Sequence, residues 1–261
     1  NTNRGKTDSY EKVIAGIKRV RDAIGDYKVS ALMTTSELSL NYPKEIVDAY
    51  RANGFNSMFI RSLNPYGLAK DNDDWPLYFD RFIDFYKEAL EYIIEINKSG
   101  ETFIEELTTM ILKKILTPFP IGFVDLQSPS GIVNGVIVYN YDGYVYASDE
   151  SRMLAENGDY TFRLGKITDD YNDVFYGKRV QELSRVWATE YIAGCSDCAY
   201  QSICGADPVR NYSTQGDEYG YRPGSTLCKK NKAIIEHVFT LLDTRKEELM
   251  PIFQRWITGV E

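Results

Sequence analysis

The chain has 261 residues, 43% of them hydrophobic, which is enough to bury a core in one large domain or two of ordinary size. Its formal charge of -8 and isoelectric point near 4.9 leave no basic surface for phosphate groups, which argues against nucleic acid as a partner. No apolar run has the length of a membrane helix, and the polar first residues do not form a signal peptide. We therefore expect a cytoplasmic location and no membrane partner.

The first part of the chain alternates helix and strand. Apolar residues at helical spacing predict a helix over Tyr10 to Ile24, followed by a buried strand over Lys28 to Thr35. The pattern repeats with a helix from Pro43 to Ala52 and a strand from Phe55 to Leu63. Two such units in series imply a parallel sheet covered by helices. Because two strands alone leave both edges open, we expect the end of a sheet or barrel whose earlier strands belong to a longer protein.

A helical segment from Trp75 to Leu116 follows, with a capping-box pattern at Thr102 and Glu105. The bulky residues of its apolar face are Phe82, Phe85, Tyr86, Leu90 and Ile93. Beyond Pro120 the sequence becomes rich in β-forming residues. We interpret the helical segment as a bridge to a second domain.

The second domain begins with a predicted hairpin. Short β-rich runs at Gly135 to Asn140 and Tyr144 to Ser148 flank the turn signal Asp142-Gly143. A helix is predicted from about Asn172 to Tyr191 and a closing helix from about Lys230 to Asp243, with a loop-rich stretch between them that holds every cysteine. Any special chemistry of this half is therefore expected in that stretch.

All four cysteines lie in one window of 34 residues, spaced Cys195-x2-Cys198-x5-Cys204-x23-Cys228. A Cys-x2-Cys turn can point two thiolates at a single centre, the x5 loop brings a third, and the stretch to Cys228 can fold back with the fourth. The sequence therefore predicts one metal centre.

Three alternatives to an iron-sulfur centre remain. The clustering is unlike that of unrelated buried thiols, and a chain without signs of secretion disfavours two disulfides. A structural zinc site is the serious alternative, because zinc accepts four thiolates. Zinc ribbons, however, use two Cys-x2-Cys knuckles, and this sequence has one. An iron-sulfur centre is therefore favoured.

The cysteine window resembles a known domain. The segment GCSDCAYQSICG, residues 194–205, is similar to the SPASM domain, the C-terminal extension of radical SAM peptide-modifying enzymes. ADPVRNY at 206–212 and CKKNK at 228–232 most closely resemble the His-Xaa-Ser system radical SAM maturase. In the first half, Asn3-Arg4 resembles the end of the loop after the fourth barrel strand, SALMTT at 30–35 the fifth strand, and FIRSLNPYG at 59–67 the sixth. The resemblance covers nearly the whole chain.

This resemblance implies an α/β fold class, the latter part of a partial (β/α)6 radical SAM barrel followed by an α+β SPASM-like iron-sulfur domain. Residues 1–74 would be the C-terminal portion of the barrel, 75–120 a helical bridge and 121–261 the SPASM-like auxiliary-cluster domain. The four cysteines would bind one auxiliary [4Fe-4S] cluster. Where a full SPASM domain has ligands for a second auxiliary cluster, this sequence has Ser128 or Ser130, then Ser148, then Pro208. The coordinated loss indicates a domain with one cluster.

Residues at the carboxyl ends of barrel strands usually face the reaction site, which directs attention to Thr34, Thr35, Arg61 and Asn64. Arg61 and Asn64 are the candidates for contact with S-adenosylmethionine (SAM) or peptide. A surface ion pair for Arg61 and an ordinary turn for Asn64 are the alternatives. The only histidine, His237, is expected on the solvated side of a helix and is not predicted to be catalytic.

The Cys-x3-Cys-x2-Cys motif that holds the SAM-cleaving cluster in this superfamily is absent, because no cysteine precedes residue 195. The chain is therefore predicted to be inactive by itself, with SAM and a second [4Fe-4S] cluster held by the full-length protein. The resemblance implies a radical SAM enzyme that modifies a peptide or small protein, with His-Xaa-Ser repeats among the candidate substrates.

The role of the auxiliary cluster has two interpretations. In the first, the cluster exchanges an electron with a donor or acceptor protein. In the second, it only stabilises a loop-rich domain. Two other functions are open for the chain as a whole: a non-enzymatic protein-binding module with a four-cysteine zinc site, and a free-standing electron-transfer protein. The long helix-strand half disfavours the second, because one cluster needs no such scaffold.

Overall fold

The computed structural model describes residues 9–66 and 74–259. Packing divides the chain into two compact units, each built from two segments. Unit 1 runs to Ser62 and includes Asp84–Leu107, and unit 2 combines Leu63–Ile83 with Thr108–Glu261. The resemblance at Asn3-Arg4 and the glycine that ends the resemblance at 59–67 lie outside the described residues. The three-part division expected from the sequence stays a prediction.

Unit 1 is built on a parallel sheet in the order β1-β2-β3. The strands are β1 (Leu32–Thr35), β2 (Ser57–Ser62) and β3 (Ile104–Glu105), and the first two helices are α1 (Tyr10–Ile24) and α2 (Pro43–Ala52). Both helices were predicted with these bounds, and the parallel pairing of β1 with β2 is confirmed. The strand predicted from Lys28 is too long, because Asp26–Lys28 form a 3-10 turn before β1.

The long helical segment is two helices, α3 (Trp75–Lys98) and α4 (Glu106–Leu116). Its predicted apolar face is confirmed, since all five bulky residues of that face are buried. The capping box at Thr102 and Glu105 is wrong. Glu105 ends the short strand β3, and its fully buried carboxylate accepts a hydrogen bond from the backbone N–H of Ile60 at 3.1 Å.

Unit 2 contains an antiparallel sheet in the order β4-β5-β6. Its strands are β4 (Val138–Tyr139), β5 (Tyr144–Tyr146) and β6 (Arg163–Lys166). The predicted hairpin around Asp142-Gly143 is confirmed, with Gly143 at a φ of 82°. Helix α5 (Asp149–Glu156) and strand β6 complete this region and were not predicted.

The remaining helices of unit 2 are α6 (Tyr171–Phe175), α7 (Lys178–Leu183), α8 (Pro208–Gln215), α9 (Thr226–Thr244) and α10 (Lys246–Thr258). The continuous helix predicted from Asn172 to Tyr191 is wrong. The chain turns between α6 and α7 at Gly177, where a Cβ would overlap the carbonyl oxygen of Asp173. Among the described helices, none combines the length and the apolar character that crossing a bilayer requires.

Candidate metal centre

Three of the four cysteines lie in successive tight turns. The backbone N–H of Cys195 donates to the carbonyl of Ile192 at 3.0 Å, and that of Cys198 donates to the carbonyl of Cys195 at 3.0 Å. The N–H of Cys204 donates to the carbonyl of Tyr200 at 2.9 Å. The loop predicted from the Cys-x2-Cys-x5-Cys spacing is therefore present.

The fourth cysteine, Cys228, lies in the first turn of α9 rather than in the predicted loop-rich stretch. The hydroxyl of Ser225 caps this helix by accepting from the N–H of Cys228 at 3.1 Å. One turn later, the side-chain amide of Asn231 donates to the Cys204 sulfur at 3.6 Å. This contact brings the helix that carries Cys228 against the Cys204 loop.

The thiols lie close enough to influence one another electrostatically. Burial is the main cause that raises the pKa of Cys195, and the neighbouring Cys204 and Cys198 add to it. Burial likewise raises the pKa of Cys228, with further contributions from Cys204, Cys195 and Cys198. A set of half-buried thiols resists ionisation, and a bound cation would remove that resistance.

Positive charges lie beside the thiols. The Arg222 guanidinium lowers the pKa of Cys195 and so opposes the effect of burial, and Lys232 does the same at Cys228. Lys114 donates to the carbonyl oxygen of Leu126. Burial lowers its pKa, and the charges of Cys204 and Glu190 act in the opposite direction. The cations would offset part of the negative charge of ionised thiols.

The backbone after Cys204 is packed too closely for any side chain. A Cβ on Gly205 would overlap the carbonyl oxygen of Asp125 and would lie 2.8 Å from the backbone nitrogen of Gln127. The next residue, Ala206, donates its N–H to the carbonyl of Gln127 at 3.3 Å. Glycine at position 205 therefore lets the segment around 125–127 cover the Cys204 turn.

The four cysteines are not arranged as a preformed metal site. Within 9–66 and 74–259, no group of three or more His, Cys, Asp or Glu side chains is arranged to hold a metal ion. A four-thiolate zinc site needs sulfurs about 3.8 Å apart, because Zn–S bonds are about 2.3 Å and tetrahedral. A [4Fe-4S] cluster places each thiolate on a different iron and spaces the sulfurs more widely. Neither kind of centre is preformed among the described side chains, and the ligand assignment remains a prediction.

Some residues stand where a full SPASM domain would have cysteine ligands for a second cluster. These residues have structural roles here. Ser148 caps α5, its hydroxyl accepting from the N–H of Ser151 at 3.2 Å. Pro208 occupies the first turn of α8. The Ser128 hydroxyl accepts from the N–H of Thr189 at 2.9 Å. Ser130, the alternative to Ser128, is buried.

The predicted barrel residues lie at strand ends. Thr34 pairs with Arg61 in the register of β1 and β2, one residue before each strand ends. Thr35 is the buried last residue of β1. Asn64 follows β2 and, within unit 2, its side-chain oxygen accepts from Arg210 at 3.3 Å. Contact of Arg61 or Asn64 with SAM or peptide remains a prediction.

Two buried arginines were missed by the sequence reasoning. Arg210 and Arg222 are each 4% exposed. Arg210 lies over the ring of Phe79, and Arg222 lies beside the cysteines. Both belong to polar, loop-rich sequence, where an arginine normally faces solvent, so no local pattern marks them as buried.

Solved structures of radical SAM enzymes share this fold. One, native anSMEcpe with bound AdoMet and Kp18Cys peptide, matches with a TM-score of 0.66 and 17% identity over 93% of this chain and 63% of that chain. Hexahistidine-tagged anSMEcpe with bound AdoMet matches with a TM-score of 0.68 and 16% identity over 98% of this chain and 64% of that chain. anSMEcpe is an anaerobic sulfatase-maturating radical SAM enzyme with a SPASM domain.

The chain thus has an α/β fold similar to that of radical SAM enzyme chains, and it spans less than two thirds of their length. Native anSMEcpe with bound AdoMet and Cp18Cys peptide matches in the same way, with a TM-score of 0.67 over 65% of that chain. No protein-family model and no curated protein matches the sequence. At 16–17% identity, the similarity shows the fold alone.

Proposed function

We propose that this chain is the C-terminal part of a radical SAM enzyme that modifies a peptide or protein. In this proposal Cys195, Cys198, Cys204 and Cys228 bind one auxiliary [4Fe-4S] cluster. The observation that carries it is the contact between the cysteine turns and the helix of Cys228, where Asn231 bonds to the Cys204 sulfur. This contact lies in a chain whose fold is similar to radical SAM enzymes over most of its length.

The residues around the thiols fit such a cluster. All four donors are soft thiols, and two of them are held back from ionising by burial. Gly205 allows the backbone to pack closely behind Cys204, while Arg222 and Lys232 supply positive charge. When bound, the cluster would supply one-electron transfer, and its reduction potential would depend on hydrogen bonds and solvent exposure.

The wider activity belongs to the full-length protein. Related structures hold AdoMet and a peptide, which supports SAM and a peptide substrate for this protein as well. SAM cleavage would use a second [4Fe-4S] cluster outside the present sequence, so the chain alone would be inactive. Arg61 and Asn64 are proposed to contact SAM or peptide. His-Xaa-Ser substrates, an electron donor or acceptor protein, and a cytoplasmic location rest on the sequence alone.

The deciding experiment is metal and sulfide analysis of the chain purified without oxygen. We expect about four irons and four sulfides per chain, with a brown chromophore. Cys198→Ser should lose both, whereas Ser202→Ala, an exposed change in the same loop, should keep them. One zinc per chain and no colour would overturn the cluster assignment and favour a protein-binding module.

A further inference from the structure

Arg222 is a buried cation next to the proposed centre. It opens the 3-10 turn Arg222–Gly224 before α9 and is 4% exposed. One guanidinium nitrogen, Nη2, donates to the carbonyl of Gly205 at 3.3 Å. The Nε atom is buried without a hydrogen-bond partner in the part of the chain that the structure describes. A buried donor of this kind is costly unless something else satisfies it.

The turn that carries Arg222 packs on the cysteine segments. A Cβ on Gly194, the residue before Cys195, would overlap the ring of Pro223. Gly205, which receives the Arg222 hydrogen bond, follows Cys204 directly. On the other side, the Ser225 hydroxyl donates to the Arg222 carbonyl at 2.8 Å and caps the helix of Cys228. Arg222 therefore lies among the segments that carry three of the four cysteines.

The charge of Arg222 has no carboxylate to neutralise it, since none of the ion pairs among the described residues includes it. Geometry fixes its position beside the cysteines, because Nη2 donates to the carbonyl of Gly205, the residue directly after Cys204. Four thiolates around an iron-sulfur core carry net negative charge, and reduction adds one more electron. A fixed cation at this place would stabilise the reduced state more than the oxidised state.

We propose that Arg222 is a positioning residue of the auxiliary centre: its guanidinium holds the backbone turn after Cys204, and its buried charge raises the reduction potential of the cluster. This inference rests on the proposed function, because it needs the four cysteines to hold a cluster. Hydrogen bonds to the cluster sulfurs and local charge are recognised determinants of such potentials. A purely structural Arg222, holding only the Gly205 carbonyl, would leave the potential unchanged.

The test compares wild type, Arg222→Gln and Arg222→Lys, purified without oxygen and analysed first for iron. Reductive titration followed by electron paramagnetic resonance then gives the midpoint potential of each. We expect Arg222→Gln to lower the reduction equilibrium constant about tenfold, a shift of about 59 mV to more negative potential for one electron. Arg222→Lys retains the positive charge but not the planar guanidinium group. It should shift the midpoint potential in the same direction by a smaller amount.

Arg210→Gln is the matched control, because Arg210 is also 4% exposed but bonds to Asn64 instead of the cysteine loops. The midpoint potential of the cluster in Arg210→Gln should stay at the wild-type value. If Arg222→Gln fails to retain iron, the midpoint potential of the cluster in Arg222→Lys decides whether the proposal holds. Wild-type potentials in the iron-loaded Arg222 variants would overturn the proposal. Absence of iron from the wild type would instead overturn the proposed function, a result distinguishable at the first step.

Discussion

Glu105 shows how one buried side chain organises unit 1. Its carboxylate accepts from the N–H of Ile60 at 3.1 Å, from the N–H of Leu107 at 3.3 Å and from the hydroxyl of Tyr86 at 2.6 Å. A carboxylate with no exposed surface is tolerated only when its oxygens are well satisfied. These bonds tie β2, β3 and α3 together and satisfy an N–H in the first turn of α4. They explain why Glu105 ends a strand directly before α4 instead of lying inside a helix that begins at Thr102.

Removing the Tyr86 hydroxyl should therefore destabilise unit 1. We expect Tyr86→Phe to lower the free energy of unfolding by about 1.5 to 3 kcal/mol, the range for a hydrogen bond to a buried charged group. Urea unfolding measures the loss. Tyr92→Phe is the matched control on the same helix, because Tyr92 donates to the exposed Asp48, and it should cost under about 0.5 kcal/mol. Equal losses for the two variants would contradict this account.

A second prediction at the scale of single residues concerns the close packing at Gly205. Gly205→Ala places a Cβ against the backbone of Asp125 and Gln127, where no flexible side chain can move aside. We expect a loss of about 1 to 3 kcal/mol in the free energy of unfolding, as for overpacking elsewhere, together with a lower iron content. Gly122→Ala, with nothing within 4 Å of its Cβ, should change neither. An alanine variant at 205 with wild-type stability and iron would show that the close packing is unimportant.

At the scale of elements, the strongly periodic helices were predictable and the short elements were not. Helices α1 and α2 have apolar faces that end at clear stop signals, so local sequence sets their bounds. β3 has only two residues and exists because it pairs with β2, a contact that local sequence does not contain. The sequence pattern places Glu105 inside the first turn of a helix, but the residue ends β3 directly before α4, where tertiary hydrogen bonds hold its carboxylate.

The candidate site was predictable in composition and not in arrangement. The spacing of the first three cysteines indicates turns, which the structure contains. That Cys228 lies inside a helix depends on the Ser225 cap, and Ser225 was not identified as a cap. The role of Arg222 depends on packing between segments 17 residues apart. Local sequence patterns do not reveal contacts between residues this far apart in the sequence.

The 3-10 turn Thr189–Tyr191, which precedes the first cysteine, gives a pH prediction. A hydrogen bond from Ser128 holds the pKa of Glu190 below its usual range. A carboxyl with a depressed folded-state pKa adds stability that is present above its unfolded pKa, about 4.3, and is lost as pH falls through the folded value. Between about pH 6 and pH 3, wild type should therefore lose more free energy of unfolding than Glu190→Gln, which cannot ionise.

Chemical denaturation at several pH values measures this difference. Ser128→Ala is the companion variant, because it removes the hydrogen-bond donor while leaving the carboxyl free to titrate. It should be less stable than wild type near neutral pH and should show the shallower acid loss of Glu190→Gln. Stability curves that stay parallel for all three proteins would rule out a contribution from this contact.

At the scale of the whole molecule, unit 1 leaves one side of its described part exposed. β1 forms one end of the strand order, and its Leu32 is 61% exposed. None of the side chains of α1 is buried. A groove of about 750 Å³ is lined by residues of α1, β1 and α2. Within the described residues, one face of α1 and the groove beside β1 are therefore open to solvent.

The last prediction concerns the proposed cluster, which we expect to contribute to the order of unit 2. The cysteine segments, 194–206 and 222–231, consist of turns and one helix end, with few backbone hydrogen bonds to other elements. Metal binding stabilises such segments because the free energy of binding adds to that of folding.

Removing iron anaerobically with a chelator and an oxidant should therefore increase amide hydrogen exchange in both segments, while the peptides of β1 and β2 in unit 1 keep their exchange rates. The Cys198→Ser variant should match the iron-free wild type without treatment. Unchanged exchange at 194–206 and 222–231 after complete loss of iron would mean that the cluster does not stabilise the fold, which would leave electron transfer as its role.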